Sequence, residues 1–268
     1  MTQQPNDTAP GAQPFTARSA SEYDSATRRR IRQEVYGDEY PAEVDPRSYL
    51  TWTELRRIND EMRVGGGDVF IDLGCGHGGP GLWVAAHSGA TVVGIDLSEV
   101  GVDRARRKAT ELQLTDRARF EVRDVCSTGL PDESLDAAMS VDTLWAVPDK
   151  ALAVREVARV LKRGARFVFT NWDTDLLPPG YPPPLNDHRL LLEQADFDVE
   201  IYEVQAGAED RRREVYKRHI DAEAALIEEM GEDLAQKLLF EAKGTLGLAD
   251  GIDYLAHSRR IFVAARKG

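Results

Sequence analysis

VFIDLGCGHGGPG, from Val69 to Gly81, is the stretch that decides the fold of this 268-residue chain. It joins a short apolar run, the pattern of a buried strand, to a cluster of glycines and then to Pro80, which suits a first helical turn. A glycine turn at this point lets backbone amides approach a ligand without side-chain obstruction. The stretch therefore predicts a ligand-binding turn between a buried strand and a helix.

Short apolar runs alternate with helical stretches on both sides of this turn, which is the pattern of a parallel sheet covered by helices. We predict seven strands, at 69–73, 91–95, 119–123, 136–141, 166–171, 197–205 and 259–267. Helices are predicted at 80–88, 98–113, 149–161 and 186–195. The fold class is therefore α/β, with a seven-stranded, mainly parallel Rossmann-like sheet and helices on both faces.

The remaining segments are expected to surround this core. Residues 1–20 are polar and are predicted to be a disordered tail, and 21–65 form an N-terminal helical cover with helices near 21–36 and 46–62. The cofactor-binding core is predicted at 66–207, a helical lid insertion at 208–257, and the last strand at 258–268. This arrangement makes the last two strands neighbours that are joined by a helical excursion.

The glycines alone fit two kinds of cofactor. Gly74, Gly76 and Gly79 match G-x-G-x-x-G, so a nicotinamide or flavin nucleotide must be considered. Asp72 stands two residues before the first glycine, where its charge would repel a pyrophosphate. S-adenosylmethionine instead carries an ammonium and a sulfonium group, which this carboxylate suits. Glycine spacing leaves both cofactors open, and Asp72 favours S-adenosylmethionine.

Two further carboxylates end the next two predicted strands. Asp96 lies about twenty residues beyond the glycines, where it can accept both ribose hydroxyls of either cofactor. Asp124 can accept from an adenine amino group, and Val125 offers a backbone amide and an apolar surface. Taken singly, Asp96 could be a helix cap and Asp124 a turn former. Taken together with Asp72, they favour a pocket for a cationic adenosine ligand.

Five segments resemble the class I methyltransferases that use S-adenosylmethionine on small molecules: DLGCGHG at 72–78, GIDLS at 94–98, RDV at 123–125, LDAAMSVDTLWAV at 135–147 and EVARVLKRGARFVF at 156–169. The resemblance implies that the motif glycines are Gly74, Gly76 and Gly78, and that Asp96 and Asp124 bind the ribose and adenine. Further cofactor contacts are predicted from Cys75, Leu97, Val125, Ser140 and Tyr23.

The acceptor side is expected at the same sheet edge. Transfer of a sulfonium methyl is an in-line displacement, so the protein must chiefly align the acceptor and exclude water, and a base is needed only if the acceptor must lose a proton. His219 lies on an inward-facing helical stripe and is the candidate base, with an interfacial histidine as the alternative. The candidate substrate residues are Asp142, Trp145, Trp172, Tyr36 and Tyr40, of which the tryptophans and tyrosines could instead be packing residues.

The amino-acid composition of the chain limits which partners and ligands it is expected to bind. The formal charge of −12 disfavours a nucleic-acid partner, so the acceptor is expected to be a small molecule. Two isolated cysteines and a start without a signal-peptide layout indicate a cytoplasmic protein, and no apolar run is long enough to span a membrane. The five histidines have no paired ligand spacing, so no metal is predicted. The oligomeric state is not predicted.

The sequence thus predicts an S-adenosylmethionine-dependent methyltransferase that acts on oxygen or nitrogen of a small metabolite in specialised biosynthesis. Three alternatives stay open: methylation of carbon, an NAD(P)-dependent oxidoreductase, and a catalytically silent cofactor-binding protein.

Overall fold

The computed structural model describes residues 24–268, so the predicted tail at 1–20 lies outside the described residues. The N-terminal cover contains helices α1 (Ala26–Tyr36) and α2 (Trp52–Met62). Helix α2 begins six residues later than predicted, because Thr51 and Glu54 form a reciprocal capping box that fixes its start. The preceding segment is not helical, and Asp45 within it has a φ of +50°.

The α/β prediction is confirmed by a seven-stranded mixed sheet in the order β3-β2-β1-β4-β5-β7-β6. The strands are β1 (Val69–Leu73), β2 (Thr91–Asp96), β3 (Ala118–Val122), β4 (Leu135–Val141), β5 (Leu161–Thr174), β6 (Phe197–Val204) and β7 (Ser258–Lys267). The helices between them are α3 (Gly79–Ser88), α4 (Glu99–Glu111), α5 (Lys150–Val160) and α6 (Arg189–Gln194). Strands β1 to β5 are parallel, whereas β7 is antiparallel to both of its neighbours.

The strand order changes direction at β1, which pairs with β2 on one side and with β4 on the other. In open sheets of this kind, ligands bind in the crevice outside the carboxyl ends of the strands at such a point. The glycine turn after β1 therefore lies at the place where this topology favours a ligand.

Both faces of the sheet are buried, and successive residues of β1 alternate between them. Ile71 packs with Phe167 and Val157 on one face. Phe70 packs with Leu82 on the other face, which α2 and α3 cover. The core thus holds the carboxyl ends of the central strands rigidly, which is what a positioned ligand site requires.

The excursion at 208–257 consists of helices α7 (Ala208–Asp221), α8 (Glu223–Met230) and α9 (Glu232–Thr245) and a short 3₁₀ turn before β7. It packs on α1 rather than standing apart: Val215 joins Ile31 and Tyr36 in one apolar cluster. Glu229 accepts hydrogen bonds from the Ser25 and Thr27 hydroxyls at 2.6 and 2.8 Å. The N-terminal cover and the excursion therefore form one continuous cap. Within residues 24–268, no helix combines the length and the apolar character needed to cross a membrane.

Candidate functional site

The glycine turn after β1 is held against the end of β2. The amides of Gly74 and Cys75 donate to the Ile95 carbonyl at 2.8 and 3.0 Å. Gly76 adopts a left-handed φ of +54°, and a Cβ placed on it would meet no atom within 4 Å. The turn is therefore rigid at its base and faces open space at its tip, so a ligand can approach the backbone there.

Asp96 is organised by the same turn. Its Oδ2 accepts from the Gly76 amide and its Oδ1 from the Ser98 amide, both at 2.8 Å. Each carboxylate oxygen keeps a second lone pair, so the group can still accept from a pair of hydroxyls. Leu97 follows with 48% of its surface exposed, which places an apolar patch directly beside the carboxylate. Asp96 and Leu97 together offer a polar and an apolar contact to a nucleoside.

Asp72 is buried at 2% exposure beneath the start of α3, and its Oδ2 makes no hydrogen bond of good geometry within residues 24–268, although the Gly81 amide lies near the carboxylate. Burial, with the nearby charge of Asp96, raises the pKa of Asp72 to about 7. A buried carboxylate oxygen without a partner calls for a donor, and an ammonium group would satisfy it. The open space at Gly76 would admit either cofactor, but this orphaned oxygen fits a cationic nucleoside and would repel a pyrophosphate.

Other predicted cofactor residues have mainly structural surroundings. Asp124 is exposed, and its Oδ1 accepts from the Cys126 amide at 2.8 Å, so it does form a turn. Val125 is buried in the core. The Ser140 hydroxyl is fully buried and donates to the Leu73 carbonyl at 3.0 Å between β4 and β1. At residues 124–125, the backbone therefore remains available to a ligand at the sheet edge. The Ser140 hydroxyl has already donated its one hydrogen within the protein.

Three predicted contacts remain. The Cys75 thiol is buried under the turn, and only its backbone belongs to the turn surface. A Cβ on Gly78 would come within 2.8 Å of the Ala105 methyl, so this glycine is required by helix packing. Tyr23 lies outside the described residues.

The raised pKa of Asp72 predicts that the binding of the proposed ligand depends on pH. Because its pKa is raised to about 7, the carboxyl binds a proton in the free protein and must lose it to hold an ammonium group. The affinity for S-adenosylhomocysteine, which keeps the ammonium, is expected to rise about 10-fold between about pH 5.5 and about pH 7.5. Calorimetry across this range measures the rise, and Asp72→Asn should abolish it. An affinity of the unaltered protein that does not change with pH would contradict this role.

A cavity that opens to solvent lies between the end of β5, the proline-rich loop that follows it, and the excursion. Its lining is aromatic and hydroxyl-rich, with one cation: Trp145, Trp172, Thr174, Leu177, Pro178, Tyr181, Arg212, Thr245, Tyr254 and Ser258. Two of the predicted substrate residues, Trp145 and Trp172, thus meet in one cavity. Tyr36 and Tyr40 do not reach it, because both pack in the apolar cluster between α1 and α7.

Asp142 connects this cavity to the glycine turn. It follows β4 with a φ of +52°, and its carbonyl accepts from the Trp145 indole at 2.9 Å. Its Oδ2 accepts from the Tyr49 amide at 2.9 Å. The next residue, Thr143, donates from its hydroxyl to the Gly74 carbonyl at 3.4 Å. The cavity wall and the glycine turn therefore meet at the consecutive residues 142 and 143.

The Asp142 carboxylate is itself engaged in a buried ion network. Arg260 of β7 has no exposed surface; it pairs with Glu54 at 3.0 Å and makes a very short contact with Asp142. Glu54 also forms the capping box of α2. The network joins the N-terminal cover to β4 and β7. Asp142 was predicted as a substrate residue. Its carboxylate is instead paired with protein groups, and its backbone carbonyl positions the cavity wall at Trp145.

A second buried network holds Trp145. The Asn171 side-chain oxygen accepts from the Trp145 amide at 3.0 Å, and the Asn171 amide group contacts His188 Nε2 at 2.8 Å. His188 Nδ1 lies 2.7 Å from Asp173, which also accepts from the Tyr202 hydroxyl. With its donor site facing Asp173, the imidazole orients Asn171 and so fixes the tryptophan wall.

His219 lies on the inward face of α7 as predicted, yet it does not line the cavity. It is 1% exposed, and neither ring nitrogen has a hydrogen-bond partner within residues 24–268. Burial, with the charges of Arg28 and Arg32, lowers the pKa of His219 to about 2. An imidazole this weakly basic is a poor proton acceptor, so its position lends no support to the predicted base role.

Arg212 lines the cavity and Tyr49 packs against its wall, and neither residue was predicted. The Tyr49 ring packs edge-on against Trp172 at 5.7 Å and Tyr216 at 6.4 Å between ring centroids. Tyr181 stacks on Trp145 at 6.0 Å. These contacts join segments that are far apart in the chain, and no local pattern in the sequence marks them. Across residues 24–268, the structure gathers no group of three or more His, Cys, Asp or Glu side chains that could hold a metal ion.

Comparison with known proteins gives one family match. Residues 71–169, which run from β1 to β5, match the family described as "Methyltransferase domain". The matched range contains the glycine turn, Asp96, Asp124 and Trp145.

Two curated relatives come from actinomycetes. Methyltransferase GfsG of Streptomyces halstedii is 28% identical over 73% of this chain. The 27-O-demethylrifamycin SV methyltransferase of Amycolatopsis mediterranei is 29% identical over 67% of it. The chain spans only 64% and 61% of the lengths of these two relatives.

Among solved structures, the [4+2]-cyclase SpnF superimposes with a TM-score of 0.70 at 22% identity, covering 94% of this chain and 97% of that one. This likeness concerns the fold. The neighbours as a group have the class I methyltransferase fold, in agreement with the sheet order described above.

Proposed function

We propose that this chain, which carries a class I methyltransferase domain at residues 71–169, transfers a methyl group from S-adenosylmethionine to a small molecule. The observation that carries the proposal is the buried, unpartnered oxygen of Asp72 beside an open glycine turn. A fold shared with a [4+2]-cyclase does not by itself define a chemistry, so the donor site has to supply the reason. A site with an orphaned anion favours a cationic donor over a dinucleotide.

Each end of the donor has a candidate partner. Asp72 would receive the ammonium group, and Asp96 the ribose hydroxyls. Leu97 and the backbone at Val125 would contact the adenine, with Asp124 at its edge. When bound, S-adenosylmethionine supplies an electrophilic methyl group on sulfur. The protein's part is to hold this nucleoside with its sulfur side toward residues 142–143, where the cavity begins.

The acceptor would lie between Trp145 and Trp172. Their indoles exclude water and restrict how a flat molecule can lie, which is the main contribution a protein can make to an in-line displacement. Among residues 24–268, no histidine or carboxylate side chain lines the cavity. An acceptor oxygen or nitrogen that is already nucleophilic fits such a lining best. We therefore propose oxygen or nitrogen as the methylated atom, with carbon as the alternative.

Two measurements test this function. Calorimetry should detect S-adenosylhomocysteine at micromolar affinity and no comparable binding of NADH or NADPH. Incubation with methyl-labelled S-adenosylmethionine and low-molecular-weight actinomycete extracts should then transfer label to a small product. Binding of a dinucleotide in place of S-adenosylhomocysteine would support an oxidoreductase, and donor binding without any transfer would support a silent binding protein.

A further inference from the structure

Arg212 of α7 brings a positive charge into the cavity without a carboxylate ion-pair partner. Within residues 24–268, no Asp or Glu oxygen lies within ion-pair distance of its guanidinium. By contrast, Arg213, the next residue of α7, pairs with Asp253 at 2.8 Å. Arg212 therefore differs from Arg213 in that it faces the cavity and has no carboxylate within ion-pair distance.

Aromatic rings surround this guanidinium. Its central carbon lies 4.7 Å from the Trp172 ring centroid, 5.0 Å from that of Tyr49 and 5.2 Å from that of Tyr216. The rings orient the cation and remove water from its faces, which strengthens any charge interaction made along its edge. The guanidinium is thus held in a fixed plane beside the predicted acceptor position.

The hydrogen bonds of Arg212 leave part of that edge unused. Its Nε and Nη2 both donate to the Tyr216 hydroxyl, at 3.2 and 2.9 Å. That hydroxyl donates in turn to Glu241 at 2.8 Å, so the nearest carboxylate reaches Arg212 only through the tyrosine. A guanidinium has five N–H donors in a planar fork that matches a carboxylate. The donors on Nη1 make no hydrogen bond to the described residues.

We infer that the acceptor is a flat, unsaturated organic acid whose carboxylate is held by Arg212. This inference rests on the proposed function and adds a substrate class to it. The rings of Trp145 and Tyr181, which stack on each other, present a flat aromatic wall against which a planar body can lie, and the guanidinium supplies the counter-charge for its anionic group. Arg212 is the one cationic side chain that the described residues contribute to the lining, so it is the residue that distinguishes an acid from a neutral analogue.

The experiment uses two probes of equal shape, 2-naphthoate and 2-naphthamide, on the full chain with S-adenosylhomocysteine present. Quenching of tryptophan fluorescence reports binding, because Trp145 and Trp172 line the cavity. The acid is expected to bind about 10-fold more tightly than the amide, as one charge-assisted contact provides. Arg212→Gln should remove this preference, and Arg212→Lys should retain part of it.

The matched control is Arg218→Gln. This arginine lies on the same helix but is 38% exposed and pairs with Glu34 and Glu214, so the preference for the acid should be unchanged. Equal binding of both probes, no binding of either, or a preference that survives Arg212→Gln would overturn the inference. S-adenosylhomocysteine binding is measured on the same samples. If it persists, only the substrate class is wrong; if it is missing from the unaltered protein, the proposed function fails as well.

Discussion

Replacing Asp96 with alanine is expected to weaken the binding of S-adenosylhomocysteine by about 100-fold, which corresponds to roughly 3 kcal/mol. This is the contribution expected from two hydrogen bonds to a charged group. The carboxylate has two tasks that alanine cannot perform. It would accept from the ribose hydroxyls, and it holds the Gly76 and Ser98 amides at 2.8 Å in the free protein. Its removal would therefore take away a ligand contact and also loosen the turn that frames the site.

Calorimetric titration of the two proteins measures this loss. Asp116→Ala is the matched control, because that aspartate is exposed in the turn before β3 and should leave the affinity unchanged. Asp96→Asn separates the two tasks: it retains an acceptor oxygen, so an intermediate loss is expected. Full affinity in Asp96→Ala would show that the nucleoside does not bind at the end of β2.

The replacement of Arg260 with methionine is expected to lower the free energy of unfolding by about 3–5 kcal/mol. Arg260 is completely buried and neutralises both Glu54 and Asp142. Methionine would fill much of the volume but would leave two carboxylates in the interior without a cation, which is far more costly than the loss of an exposed ion pair. The N-terminal cover should separate first, since α2 depends on Glu54 for its cap.

Urea denaturation followed by circular dichroism measures this loss. Arg266→Met provides the control on the same strand: its side chain is 43% exposed and pairs with Asp198 and Glu200, so about 1 kcal/mol or less is expected. Adding Glu54→Gln to Arg260→Met removes one of the two stranded charges and should recover part of the stability. Equal losses at Arg260 and Arg266 would mean that the buried network does not secure the cover.

The fold and the donor side of the site follow from local sequence. Each strand of the core is a short apolar run, and the turn chemistry at its end, such as Gly74 to Gly78, acts over a few residues. The prediction that the last two strands are neighbours was also confirmed. The helix-favouring stretch between them indicated a helical excursion in place of a tight hairpin. The predicted start of α2, near residue 46, was wrong because Thr51 and Glu54 supply the cap six residues later.

The acceptor side depends on contacts that no local pattern reveals. Arg212 meets Tyr49 across 163 positions of the chain, and Arg260 meets Glu54 across 206. Such pairs arise only when the cover, the sheet and the excursion are packed together. Trp145 and Trp172 were found because both lie near the carboxyl end of a strand, and these ends converge at one edge of the sheet. Tyr36 and Tyr40 were assigned to the acceptor side from their segment alone, and they pack elsewhere.

The antiparallel β7 between β5 and β6 has a consequence for how such proteins diversify. The excursion leaves the sheet after Val204, which pairs with Ile261 of β7, so its two ends are anchored on adjacent strands about 4.8 Å apart. A helical segment of another length could be grafted between these anchors without changing the register of β1 to β5. The excursion, and with it the choice of substrate, can then change during evolution while the proposed donor site stays the same.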